Sequence, residues 1–227
     1  LITLVPGKSK GINVVNWGFR QKNPKVAAGK NFTFGGFTAP RVPAGRYKVV
    51  LKKGRKEYVN TIEVKNDPKS LISNDDRIAQ RKTTLELYDD MEDLAYLVYQ
   101  IDTHIKDANA AIKADPKLKK TATKVINLLQ PLKESLVVTT GDSYVGEAEP
   151  ELREKLSDLY AEVANQFEKP SLSQLENKEV LETRLKKAKK DFEKIKNKEI
   201  SKFEKRKLKA DKKQIKLLSK EDFIAKK

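Results

Sequence analysis

Between residues 78 and 112, apolar side chains recur every three or four positions. The members of this stripe are Ile78, Leu85, Tyr88, Leu94, Ala95, Val98, Ile101, Ile105, Ala108 and Ile112. Because an α-helix turns once every 3.6 residues, a recurrence at threes and fours is typical of an amphipathic α-helix. Ser73-Asn74-Asp75 supplies cap-type residues just before it. The sequence therefore predicts one amphipathic helix of roughly 35–40 residues, whose apolar side needs other elements to cover it.

Three further stripes follow the same rule. Asp115-Pro116 starts the second helix, the loop Thr139–Gly146 separates it from the third, and Lys169-Pro170 ends the third. Ser171–Gln174 is a capping box for the fourth helix, and Pro131 is expected to kink or split the second. The three stripes are Leu118, Ala122, Val125, Leu129, Leu132 and Leu136; then Leu152, Leu156, Leu159, Val163 and Phe167; then Leu175, Leu181, Leu185, Ala188, Phe192 and Ile195.

Four helices with coiled-coil spacing and short connections predict an antiparallel four-helix, coiled-coil-like bundle over residues 74–200. Beyond Ile200 the apolar positions thin out in a background of lysine. We expect residues 201–227 to form a basic tail. It either continues as a helix that projects from the bundle or is disordered.

Residues 1–67 show a period of two instead. Arg41–Gly45 is a turn in which proline pre-sets φ and glycine relieves the last position. Tyr47, Val49 and Leu51 then alternate with polar neighbours, Lys53–Arg55 reverses the chain, and a second alternating run follows. The residues of that run that share one face are Tyr58, Ile62 and Val64. The pattern predicts a β-hairpin.

The rest of this region predicts more strands but not a full set. Val15, Trp17 and Phe19 lie on one face of an extended run, and the chain opens in an apolar segment, Leu1–Val5. About four strands are found, whereas an immunoglobulin-like sandwich has about seven. The fold expected is therefore an α+β multidomain chain. Residues 1–67 would be a partial Ig-like β-sandwich lacking upstream strands, with Trp17 in its core.

The charge is unevenly distributed. Residues 1–70 carry 15 Lys and Arg against 3 Asp and Glu, and residues 184–227 carry 19 against 7, whereas the middle of the chain is acidic. Basic ends of this kind attract either the acidic middle or an external polyanion. The absence of cysteine excludes disulfides and thiolate ligands, and no run of apolar residues is long enough to span a membrane.

Two segments suggest ligand contacts. Phe32–Phe37 puts aromatic rings on a glycine loop before Arg41 and Arg46, an arrangement that can stack a base or a sugar. The favoured interpretation is a short strand and loop whose phenylalanines close the sandwich core. Half of the thirty positions from Arg184 to Lys213 are Lys or Arg, which suits a phosphate chain or an anionic polysaccharide. A solvated lysine-rich helix face is the favoured interpretation there.

Side chains with catalytic or metal-binding chemistry do not gather in the sequence. Asp89–Asp93 is acidic enough for a divalent cation, but consecutive helical residues point apart, so a solvated helix face is favoured. Asp142 is interpreted as a loop residue. His104 is the only histidine and has no second histidine or cysteine to act with. We therefore assign no catalytic, metal or cofactor-binding residue and no cofactor.

Three motifs in order carry a family resemblance. They are Gly11-Ile12-Asn13-Val14-Val15-Asn16-Trp17 with Arg20 after it, Pro40-Arg41-Val42-Pro43-Ala44-Gly45-Arg46-Tyr47, and Asn66-Asp67-Pro68-Lys69. The order resembles the C-terminal region of bacterial sortilin-like (Vps10-type) BNR-repeat β-propeller proteins, often labelled glycosyl hydrolase-like. It covers roughly residues 1–200 and is strongest over Pro40–Lys69 and Leu94–Ile101.

The resemblance implies a large exported parent, secreted, periplasmic or at the bacterial cell surface, in which propeller domains and an Ig-like strand or two precede this chain. The matching residues are structural, so no catalytic role follows from them. We expect a non-catalytic accessory or interaction domain, with the propellers and another protein as partners. One alternative is a polyanion-binding module that binds nucleic acid or acidic polysaccharide. A further alternative is a fragment of a hydrolase whose active site lies in the propellers.

Overall fold

The computed structural model of the chain describes residues 2–141, 146–210 and 214–226. A 3-10 turn at Phe34–Phe37 precedes the strands β1 (Gly45–Lys53) and β2 (Lys56–Val64). The helices are α1 (Asn74–Ala114), α2 (Lys119–Glu134), α3 (Leu152–Asn165), α4 (Leu172–Ile195), α5 (Ser201–Lys209) and α6 (Lys220–Ala225). A 3-10 turn at Pro116–Leu118 links α1 to α2, and a π-helical turn at Lys196–Ile200 joins α4 to α5 without a break.

The prediction of one long first helix is confirmed. α1 has 41 residues, and the Ser73 hydroxyl accepts a hydrogen bond from the backbone N–H of Asp76 at its start. Asp115 ends the helix and accepts from the backbone N–H of Lys117, so it caps the next turn. The predicted capping box at Ser171 and Gln174 is also present. Local signals at these helix ends are strong because each satisfies a backbone N–H that the helix leaves unpaired.

The helices occupy three positions side by side: α1 in one, α4 followed by α5 in another, and α2 followed by α3 in the third. The prediction of an antiparallel four-helix bundle is therefore wrong. α4 and α5 run parallel to α1, since Lys178 Nζ lies 3.0 Å from Glu86 and Lys207 Nζ lies 2.6 Å from Asp107. α3 lies antiparallel along the first half of α1, where Gln80 donates to the Val163 carbonyl. α2 lies antiparallel along the second half of α1.

The cause is the connection between α2 and α3. Leu136, Val137 and Val138 remain buried after α2 ends, and the backbone N–H of Arg153 returns to donate to the Leu136 carbonyl at 2.9 Å. The end of α2 and the start of α3 therefore meet, and α3 continues in the same direction as α2. Consequently α2 and α3 follow one another along α1 and together occupy a single position beside it.

The core lies between these helices. Its largest fully buried side chains are Tyr160, Phe192, Phe203, Leu87, Leu94, Ile101, Leu129, Leu136, Leu152, Leu156, Leu185 and Val98. Most of these belong to the stripes that the sequence defined, so the helical pattern predicted burial well. In the described part of the chain, no helix is both long and apolar enough to cross a membrane.

The predicted hairpin is confirmed. β1 and β2 pair antiparallel, with Tyr47 opposite Ile62 and Leu51 opposite Tyr58. Gly54 has φ +60, the left-handed value that a two-residue hairpin turn requires and that glycine adopts without strain.

The prediction of a partial Ig-like sandwich with Trp17 in its core is wrong. Within the described residues the only sheet is this two-stranded one, and the run from Val14 to Phe19 forms no strand. Phe19 has φ +53, which interrupts the extended conformation, and pairing here is limited to an isolated bridge between Arg20 and Arg41. Trp17 is half-buried, donates from Nε1 to the Arg20 carbonyl, and packs edge-on against Tyr47 at 5.5 Å between ring centroids.

Candidate interaction surfaces

The hairpin has one apolar face whose outer half, toward the turn, is exposed within the described residues, while Trp17 packs against Tyr47 near its base. In an antiparallel pair, opposed residues share a face, and this face is formed by Tyr47, Val49, Leu51, Tyr58, Asn60, Ile62 and Val64. Val49, Leu51 and Tyr58 are 45%, 51% and 52% exposed. We call this set the hairpin face. Its opposite side carries the exposed pair Val50 and Val59 among charged residues, including the exposed Lys52–Glu57 ion pair at 2.8 Å.

Two arginines anchor the base of the hairpin to α3. The guanidinium of Arg41 donates to the carbonyls of Ala164, Asn165 and Gln166, where helix α3 ends with unpaired acceptors. It also stacks 4.1 Å from the centre of the Phe167 ring. Burial, and secondarily the charge of Arg20, lowers the pKa of Arg41. These contacts fix the position from which the hairpin extends.

Arg20 completes this anchor. Its guanidinium donates to the Ala39 carbonyl at 2.6 Å and to Asn165 Oδ1 at 3.0 Å. Neither arginine was predicted to contact α3: Arg20 was part of a family motif, and Arg41 was assigned to a turn and to a possible ligand contact. The sequence of α3 does contain a signal for this anchor. The helix has no basic residue in its last turn to donate to its final carbonyls, so donors from elsewhere are needed.

Phe32 and Phe37 do not close a core. The rings of Phe32 and Phe37 stack on each other at 4.9 Å, and they are 65% and 72% exposed. They border a shallow depression of about 380 Å³ whose floor includes Arg153. The favoured prediction for this loop is therefore wrong. Arg41 points to α3 and Arg46 lies exposed on β1, so neither arginine joins the two rings.

The loop before β1 is held to α3 by groups that sequence reasoning missed. The buried Arg153 guanidinium donates to the carbonyls of Ala27 and Asn31, and its Nε lies 2.9 Å from Glu154 Oε1 without the alignment of a hydrogen bond. Gly35 N–H donates to the Ser157 hydroxyl at 2.8 Å. A Cβ at Gly35 would stand 2.5 Å from that hydroxyl, so only glycine lets the loop approach this closely.

The favoured prediction for Asp89–Asp93, a solvated helix face, is wrong for most of this acidic cluster. Glu92 is buried and accepts from the backbone N–H of Lys25 at 3.3 Å. Asp93 accepts from both Lys189 and Lys220. Burial alone would raise the pKa of Asp93, but the two lysines outweigh it and the pKa is lowered. The cluster thus fastens the N-terminal loop, α4 and the C-terminal segment to α1.

Asp90 is the member of this cluster whose ionised form is disfavoured. Its Oδ2 is buried and accepts no hydrogen bond within the described structure. Burial, followed by the nearby Glu182 carboxylate, raises the pKa of Asp90 to about 6, against the opposing charges of Lys178 and Lys189. Throughout the described ranges, no three His, Cys, Asp or Glu side chains are arranged to hold a metal ion. Asp142 lies outside the described residues.

His104 lies inside the body. Its Nε2 is buried without a hydrogen-bond partner among the described groups, and its ring is 6.2 Å from that of Phe192. Burial lowers its pKa to about 4, although the carboxylate of Asp107 opposes the shift. One turn further along, Lys207 Nζ lies between Asp107, at 2.6 and 2.8 Å, and Glu204, at 3.4 Å. This ion cluster docks α5 on α1.

The C-terminal segment, predicted either to project or to be disordered, folds back onto α1. Phe223 stacks on Tyr99 at 4.7 Å, and the Tyr96 hydroxyl donates to the Leu218 carbonyl at 2.9 Å. Lys25 Nζ lies 4.9 Å from the centre of the Phe223 ring. The two basic ends of the chain therefore meet over the acidic stretch of α1.

The basic stretch from Arg184 onward divides into two parts. On α4 many lysines are paired, among them Lys186, Lys189 and Lys194. From Lys198 to Lys209 a set of cations faces outward. These are Lys198, Lys202, Lys205, Arg206 and Lys209, which border a depression of about 310 Å³ together with Asn197 and Ser201. We call these five residues the basic ridge.

Comparison with known proteins returned no match: no protein-family model, curated protein or solved structure is significantly similar to this chain. The resemblance to the C-terminal region of sortilin-like β-propeller proteins stays a prediction carried by the three motifs.

Proposed function

We propose that this chain is a non-catalytic interaction module of an exported β-propeller protein, and that its helical body presents the hairpin face to a neighbouring propeller domain of the same parent. The observation that carries the proposal is that the exposed side chains of Val49, Leu51 and Tyr58 lie next to one another on one face of the hairpin. A hairpin of two strands is marginally stable in water unless a third strand or a packed face supports it. An uncovered apolar face at a fixed position is typical of an interaction site.

Charge complementarity limits the partner. Residues 45–65 carry seven Lys and Arg against two Asp and Glu. Two copies of this hairpin would bring like charges together, which disfavours self-association. A partner with an acidic rim around an apolar patch fits both properties. Sheet faces pack against sheets about 10 Å apart, so the β-sheet of a propeller blade is suited to this role.

The absence of cysteine from the sequence gives a clean test. Val49→Cys places a thiol on the hairpin face, and Lys48→Cys places one on the opposite side of the same strand. In the isolated chain both thiols should react with a maleimide at similar rates. In the full natural protein we expect the thiol of the Val49→Cys variant to react at least about tenfold more slowly, because packed interfaces exclude water. The thiol of the Lys48→Cys variant should keep its rate.

Two results would contradict the proposal. One is an equal rate at Val49→Cys in the isolated chain and in the full natural protein. The other is a natural coding sequence that specifies no propeller domain. Since Val49 and Lys48 are both exposed, each substitution should change stability by no more than about 0.5 kcal/mol, so misfolding does not confuse the comparison.

A further inference from the structure

We propose that the basic ridge binds a linear acidic polysaccharide along its length. This inference goes beyond the hairpin and uses a different surface. Only the choice of polysaccharide over duplex nucleic acid rests on the proposed export of the parent.

The carboxylates of this segment are turned inward. Glu199 is buried and accepts from Lys124 at 2.9 Å, while Glu204 faces the buried Lys207. Within the described residues, no carboxylate oxygen lies within 4 Å of a ridge cation. A mixed-charge helix normally pairs its own lysines at i and i+4. Here the sequence carries both signs, but the fold separates them and leaves a purely cationic outer face.

The geometry forms a continuous track. Successive helical residues rotate by 100°, so Lys202, Lys205, Arg206 and Lys209 fall on one side, opposite the buried Phe203 and Lys207. The π-helical turn at Lys196–Ile200 inserts an extra residue just before this stretch, and such insertions are frequent at functional sites. From Lys198 to Lys209 the rise is about 16 Å, with a cation on each turn.

The ridge lacks the groups that read nucleic acid bases. Its single aromatic neighbour, Phe203, is 1% exposed and faces the core, so no ring is available for base stacking. Arg206 is the only ridge residue able to form a bidentate fork. Four flexible ammonium groups at intervals of one turn instead match a polymer that carries separate single charges. Carboxylate and sulfate polysaccharides share this chemistry.

The test measures binding by the whole chain to polygalacturonate, which carries carboxylates, and to heparin, which carries mainly sulfates, at salt concentrations from about 50 to about 300 mM. The variant Lys198→Gln, Lys202→Gln, Lys205→Gln and Lys209→Gln removes four charges with residues of similar helix propensity. We expect it to bind at least about tenfold more weakly at low salt and with a shallower salt dependence. The polymer whose binding is weakened more by this variant identifies the anionic group that the ridge recognises.

A matched control removes the same charge from the hairpin: Lys48→Gln, Lys53→Gln, Arg55→Gln and Lys56→Gln. It should retain binding within about threefold, because its charges are distant from the ridge in the chain and on another element. An equal loss in both variants, or no binding by the parent chain at about 50 mM salt, would refute the ridge as a site. Tighter binding to duplex DNA than to both polysaccharides would refute the ligand class. None of these outcomes affects cysteine labelling of the hairpin, so the two proposals fail separately.

Discussion

Removing the carboxylate of Asp107 is expected to destabilise the protein strongly. Lys207 Nζ lies 2.6 and 2.8 Å from the two oxygens of Asp107, and the Lys207 side chain is only 3% exposed. Asp107→Ala therefore leaves a buried ammonium without its main partner. Breaking such a pair typically costs about 3–5 kcal/mol. Because Glu204 remains at 3.4 Å, we expect the lower end, about 3 kcal/mol.

The assay is urea unfolding followed by far-ultraviolet circular dichroism, with thermal unfolding in parallel. For a chain of this length, about 3 kcal/mol corresponds to a fall in Tm of roughly 6–12 °C. The matched control is Asp102→Ala, also on α1. Asp102 lies 2.6 Å from Lys133, but both side chains are about one quarter exposed, so we expect a loss of at most about 1 kcal/mol.

A second substitution separates charge from packing. Adding Lys207→Met to Asp107→Ala removes the stranded ammonium and keeps an unbranched apolar stem, so at least half of the lost stability should return. If Asp107→Ala costs no more than Asp102→Ala, Lys207 is not desolvated. The docking of α5 on α1, and with it the outward orientation of the basic ridge, would then be wrong.

Three further substitutions test other parts of the structure. Gly35→Ala should cost about 1–3 kcal/mol in urea unfolding because its Cβ would meet Ser157, whereas Gly18→Ala, with open space around it, should be nearly neutral. Asp90→Asn should raise stability by about 1 kcal/mol above pH 6, where the half-exposed wild-type carboxylate is ionised against its surroundings, and the gain should vanish below about pH 4. His104→Leu should reduce the loss of stability as the pH falls from 6.5 to 4. In this range the His104 imidazole stays neutral in the folded protein but binds a proton in the unfolded chain. Each assignment has a contradicting result. These are equal losses of stability for Gly35→Ala and Gly18→Ala, a stability gain in Asp90→Asn that does not change with pH, and a steeper loss of stability at low pH in His104→Leu.

The elements that the sequence predicted are those whose signals are local. The hairpin follows from the alternation of Tyr47, Val49 and Leu51 and from Gly54 at the turn. The length of α1 follows from its stripe and from the cap at Ser73. In each case residues that are close in sequence determine the outcome, so no knowledge of distant contacts is needed.

The features that sequence reasoning missed depend on distant contacts. The four-helix prediction failed because the loop after α2 was interpreted as a reversal, and only the hydrogen bond from Arg153 to Leu136 shows that it returns. The sandwich prediction failed because alternation in Val14–Phe19 indicates a strand without supplying one to pair with. The roles of Arg41 and Asp93 likewise appear only when α3 and the C-terminal segment are in place.

The central claim is that a stable helical body carries a hairpin whose apolar face is left for a partner. Hydrogen–deuterium exchange of the isolated chain, read by mass spectrometry, tests it most directly. We predict slow exchange for the buried centre of α1, from Leu87 to Ile101, and exchange faster by at least about a hundredfold for the hairpin amides from Val49 to Tyr58, because an unsupported two-stranded hairpin opens readily. Hairpin amides as slow as those of α1 would show that the hairpin is stable without a partner and would contradict the claim.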